Sequence, residues 1–115
     1  MTRFAKVFLD CSRREKAERL VSRVITESEG LMRQRTIEPD RETGFIAICD
    51  IEVIEVSWPM EILRLLMIAQ RLGRGWILSG SIEEELDLWC NSTSIAGVTA
   101  INIVVSNDTL HPAAP

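Results

Sequence analysis

The chain has 115 residues, 46% hydrophobic and 26% charged, enough for one domain with a filled core, which excludes two domains and global disorder. Three widely spaced cysteines, Cys11, Cys49 and Cys90, suggest neither a disulfide framework nor a zinc site, and no apolar run has the length of a signal or membrane segment, so a cytoplasmic protein is expected. The net charge of −4 is uneven: residues 1–41 carry ten basic and seven acidic side chains, residues 42–115 three and ten, and an acidic half repels nucleic acid and attracts a basic protein.

Phe4 to Leu9 predicts a first strand. Ser12 and Glu15 have the spacing of a capping box. Ala17, Leu20, Val21, Val24 and Ile25 then recur at helical spacing and predict a helix to about Thr26. Gly30 breaks it. Leu31 to Glu38 reads as a second strand carrying three charges, and Pro39 to Gly44 as a turn. Phe45 to Val56 reads as the longest strand, with Phe45, Ala47, Cys49, Ile51 and Val53 on one face and a phase shift near Val53 that suggests a bulge. Ser57-Trp58-Pro59 starts a second helix, whose stripe is Ile62, Leu65, Leu66, Ala69 and Leu72. Gly73 and Gly75 end it as helix caps. Trp76 to Ser81 reads as a fourth strand, Glu83 to Trp89 as an acidic segment, Asn91 to Gly97 as a polar loop, and Val98 to Val105 as a last strand, apolar on both faces and therefore interior.

This order predicts an α+β fold. It is a ferredoxin-like β-α-β-β-α-β sandwich with an extra C-terminal strand, and its two helices pack on one face of an antiparallel sheet. One domain is expected over 1–106, with a flexible tail over 107–115. Such a sheet leaves its other face open to a partner.

Catalytic chemistry finds little support. Cys11 stands between a strand and a helix start, where a thiolate is favoured. Ala17 occupies the place where a phosphatase-like loop needs arginine, and the one histidine, His111, lies in the tail. Asp50 and Glu52 share one side of a strand, as a wet face does. Gly73-Arg74-Gly75 and Ser79-Gly80-Ser81 form no phosphate-binding pattern. Lys16, Arg19 and Arg23 line one flank of the first helix, opposed by Glu15 and Glu18. No enzyme, metal or cofactor is expected.

The acidic segment carries the most information. Glu83, Glu84, Glu85 and Asp87 place four charges within five residues, interleaved with Leu86, Leu88 and Trp89. Either Trp89 closes the core and the acids face water, or Trp89 anchors an interface that the acids surround. The stretch from Gly75 through Trp76-Ile77-Leu78-Ser79-Gly80-Ser81-Ile82-Glu83-Glu84-Glu85, followed by Trp89, Asn91 and Gly97-Val98-Thr99-Ala100-Ile101, resembles small immunity proteins of bacterial contact-dependent growth inhibition and related polymorphic toxin systems. The resemblance implies a protein that binds and neutralises one cognate toxin domain, often a nuclease, with Glu83, Glu84, Glu85, Asp87, Trp89 and Asn91 as candidate contacts. The alternative is a small-molecule-binding regulatory domain of the ACT-like type, using the turns at Gly73, Gly75 and Gly80.

Overall fold

The computed structural model describes residues 2–40, 44–52 and 57–107. Among these, two helices and eight strands follow as β1 (Arg3–Leu9), α1 (Arg14–Glu27), β2 (Met32–Pro39), β3 (Phe45–Ile51), α2 (Trp58–Leu72), β4 (Gly73–Arg74), β5 (Ile77–Ser79), β6 (Glu85–Cys90), β7 (Ser92–Thr93) and β8 (Val98–Ser106). Six strands form one antiparallel sheet in the order β2-β3-β1-β8-β6-β5, and β4 pairs with β7.

Period-two alternation decides which sheet face is buried. Ala5, Val7 and Leu9 of β1 stand in register with Cys49, Ala47 and Phe45 of β3. Ile103 and Ile101 of β8 oppose Ala5 and Val7 on the other side, and Leu88 and Cys90 of β6 oppose Ile103 and Ile101. Apart from the half-buried Phe45, all of these are buried. Onto this face α1 lays Ala17, Leu20, Val21 and Val24, and α2 lays Trp58, Leu65, Ile68, Ala69 and Leu72. The stripe read for α2 misses Ile68, and Ile62 and Leu66 are only half-buried at its margin.

The α+β class and the packing of two helices on an antiparallel sheet are as the sequence predicts. The run β2-β3-β1-β8 with α1 and α2 is compatible with a ferredoxin-like arrangement. The strand beside β1 is, however, β8 and not the segment after Trp76. The extra strands are therefore inserted before the last strand rather than appended after it. The physical reason is burial. β8 is apolar on both faces and buried along most of its length, as suits a place inside the sheet, whereas Ile77, Leu78 and Ser79 are all exposed at the sheet edge.

Four further local readings change. The capping box does not form: α1 starts one residue later, behind Arg13, which is extended and offers no side-chain cap, and the first helical bond runs from the Ala17 N–H to the Arg13 carbonyl at 3.1 Å. Gly73 is extended, with φ 177°, so it is not a left-handed cap. Its lack of a side chain is required because an added Cβ would meet Cys90 Sγ at 2.6 Å and the Ser92 carbonyl oxygen at 2.9 Å. The third strand ends at Ile51, and the bulge read near Val53 lies outside the described residues. Finally, most of the acidic segment is strand β6, because Leu86, Leu88 and Cys90 alternate into the core.

The chain leaves α1 through Glu29 and Gly30, both with positive φ. Buried Ser28 ties this turn, donating from its hydroxyl to the Ile25 carbonyl at 2.6 Å and accepting from the Met32 N–H at 3.2 Å. At the other end of the described chain, Asn107 is buried and donates from Nδ2 to the Glu83 carbonyl at 2.7 Å, while its N–H reaches the Glu84 carbonyl. The rest of the expected tail, 108–115, lies outside the described residues.

Candidate partner-binding site

The sheet face away from the helices is built from the alternate residues of each strand. It carries Phe4, Lys6 and Phe8 from β1, Ile46, Ile48 and Asp50 from β3, and Ala100, Asn102 and Val104 from β8, by their register with one another. Trp89, Asp87 and Glu85 of β6 oppose Asn102, Val104 and Ser106, and Ile77 of β5 opposes Trp89. The acidic segment and the open sheet face are thus one surface. The sequence had offered them as separate candidates.

Trp89 stands on this face with its ring edge-on to Phe8, centroids 5.8 Å apart. It is 37% exposed, so it does not close the core. The two other tryptophans show the contrast. The Trp58 indole N–H donates to the Ile82 carbonyl at 2.8 Å, and that of Trp76 to the Ala69 carbonyl at 2.7 Å. The Trp89 N–H has no partner among the described residues. A large amphipathic ring with a free donor on an open face has the chemistry of an interface anchor.

The acids around it are also free of cations. Asp87 accepts from Asn102 Nδ2 at 2.9 Å, which orients its carboxylate without neutralising it. None of Glu83, Glu84, Glu85 and Asp87 has a salt bridge among the described residues, and from Gly75 to Asn107 the chain contains no lysine or arginine. At the far side of the face the charges cancel, with Arg35 beside Asp50 and Arg33 beside Glu52, each at 3.4 Å. The negative potential therefore concentrates at the β6 end. Glu83 and Glu84 occupy the turn before β6, and Glu85 is its first residue. Asn91 is exposed but follows the other end of the strand, roughly 20 Å along from Glu85 at the usual rise per residue. It is not brought together with the acids.

The remaining candidates separate from this surface. Cys11 is buried, with its thiol directed at the Arg13 carbonyl at 3.7 Å. It borders a cleft of about 680 Å³ that also meets Arg13, Lys16, Asp40 and Phe45, a volume in the small-molecule range. A second cleft, about 360 Å³, is bounded by Leu66, Gly73, Gly75 and Trp76. Burial first, and the neighbouring Asp50 second, push the Cys49 thiol up to about 11, which keeps it protonated and unreactive at neutral pH. Among the described residues no group of three His, Cys, Asp or Glu side chains could hold a metal ion, and no helix is long and apolar enough to cross a membrane.

The sequence reading missed the apolar outer flank of the molecule. Met60, Leu63 and Met67 on α2 and Ile77, Leu78 and Ile82 on the following hairpin are 44–61% exposed. A signal was available, since positions 60, 63 and 67 are themselves helically spaced on the side opposite the buried stripe. Comparison with protein-family models, with curated proteins and with solved structures gives no match.

Proposed function

We propose that the protein is a partner-binding domain that receives a basic protein on the open sheet face at its β6 end. Trp89 carries the proposal: it is exposed, its indole N–H is free among the described residues, and it lies beside carboxylates without cationic partners. In this reading Trp89 is the anchor, and Glu83, Glu84, Glu85 and Asp87 form the charged rim that accelerates encounter. A nuclease fits such a surface because it must present positive charge to phosphates. Together with the resemblance over about residues 75–103, this makes the protein an immunity protein that blocks the active site or substrate surface of a cognate toxin domain in the bacterial cytoplasm. Co-expression with the product of the gene immediately upstream tests the proposal. The expected result is a complex that survives purification and in which the product's toxic activity is suppressed. A non-toxic product, or no complex, overturns it.

A second reading, ligand binding of the ACT-like type, is favoured by the cleft beside Gly73, Gly75 and Trp76. A thermal-shift screen with amino acids and nucleotides separates the two, because a specific ligand raises apparent stability by mass action. A ligand-induced shift retained in Trp89→Ala supports this second reading over the first.

A further inference from the structure

We infer that the β4–β5 edge and the outer flank of α2 form the interface of a two-fold homodimer, in which β5 pairs antiparallel with β5 of a second copy. The two edges of the sheet differ in kind. β2 closes one edge with Arg33, Arg35, Glu38 and Pro39 and an irregularity between Gln34 and Thr36, the devices that keep an edge from pairing. β5 at the other edge carries no charge and no proline, exposes Ile77 and Leu78, and has no strand on its outer side among the described residues.

The side chains above the edge are apolar as well. The Trp58 indole reaches the Ile82 carbonyl, and the Trp76 indole reaches Ala69. These two bonds hold α2 alongside the β5 hairpin at both ends. Half-buried Leu66 shares a cleft with Gly73, Arg74 and Trp76, so this flank of α2 adjoins the same edge, and exposed Leu63 lies one turn before it on the helix. By contrast, the outward residues of α1 are polar or charged. A stable pair needs about 800 Å² from each partner, more than three strand residues supply. The α2 flank adds the rest, since a two-fold axis at β5 also sets the two α2 helices side by side and antiparallel.

Charge selects a second copy over an unrelated strand. β4 and β5 share one register against β7 and β6, with Arg74 opposite Ser92 and Ile77 opposite Trp89, so Arg74 lies on the same edge ahead of β5. With the two-fold axis on Leu78, the residue four places before it stands opposite the residue four places after it in the partner. Arg74 of each copy then stands opposite Ile82 of the other and reaches the adjacent Glu83, which leaves Glu84, Glu85 and Asp87 to the proposed basic partner. Arg74 is exposed and has no salt bridge among the described residues. The edge is thus complementary to itself in hydrogen bonding, in apolar surface and in charge.

Sedimentation equilibrium of the full chain over a range of concentrations tests the inference. The expected mass rises from 13.0 kDa to twice that value. Leu78→Lys, at an exposed position, should weaken dimerisation at least tenfold and keep the unfolding midpoint measured at concentrations where both chains are monomeric. Arg74→Glu should weaken dimerisation, and Glu83→Lys in the same chain should restore it. A monomer at every concentration overturns the inference. So does a dimer unaffected by Leu78→Lys, or failure of the charge swap to restore it.

Discussion

Gly73 is the position where a single methyl group should disturb the fold most for its size. Its backbone is extended, a conformation every residue adopts, so Gly73→Ala introduces no torsional strain. The damage is steric. The new Cβ would stand 2.6 Å from Cys90 Sγ, 2.9 Å from the Ser92 carbonyl oxygen and 3.2 Å from the Thr93 Cα, where apolar atoms prefer about 3.5–4.0 Å. The thiol can rotate away, but the other two atoms belong to the β7 backbone, so relief requires β4 and β7 to separate. Overpacking of this kind costs about 2–3 kcal/mol. Gly75 supplies the control. Its φ is +65° with open space around an added Cβ, so Gly75→Ala carries only the left-handed backbone penalty of about 1–2 kcal/mol. Urea unfolding of both variants should rank Gly73→Ala as the more destabilising. Adding Cys90→Ala should restore only a minor part, because the backbone contacts remain. An equal or smaller loss for Gly73→Ala than for Gly75→Ala would refute the reasoning.

Two further predictions concern buried groups. The Cys49 thiol is raised from 9.0 to about 11. Below pH 9 both folded and unfolded chains keep this proton. Between pH 9 and 11 the unfolded chain loses it first, so stability falls as pH rises, by on the order of 2–3 kcal/mol from this group. Unfolding free energies from pH 8 to 11 should decline less steeply in Cys49→Ala, and identical slopes would contradict the assignment. Ser28→Ala removes the acceptor of the buried Met32 N–H and should cost about 2 kcal/mol in urea unfolding, whereas a change under 0.5 kcal/mol would show that the turn does not need this hydroxyl.

The parts of the fold that the sequence revealed are those where one periodicity dominates. α1 shows one apolar stripe and one charged face, and Ala5, Val7 and Leu9 alternate cleanly, so both elements were legible. β6 was hidden because its outward residues are Glu85, Asp87 and Trp89. Local charge density suggested a solvated segment, whereas the inward set of Leu86, Leu88 and Cys90 governs where the chain lies. Gly73 was misassigned because glycine after a helix usually marks a cap, and its close neighbours at Cys90 and Ser92 are set by tertiary pairing. At the candidate site, residue types were readable but adjacency was not. No local pattern places Phe8 against Trp89 across β8, because their contact depends on the strand order β1-β8-β6.

The most direct test of partner binding at Trp89 is the affinity of the purified chain for the upstream gene product, measured across ionic strengths for the unaltered protein, Trp89→Ala and Glu84→Lys/Glu85→Lys. If Trp89 anchors the interface, its truncation should weaken binding roughly 30-fold or more, the effect of a 2 kcal/mol hot spot, with little change in the unfolding midpoint. Charge reversal should weaken binding and flatten its dependence on salt. Unchanged affinity in Trp89→Ala together with an unchanged salt slope in the charge-reversed chain would contradict the account.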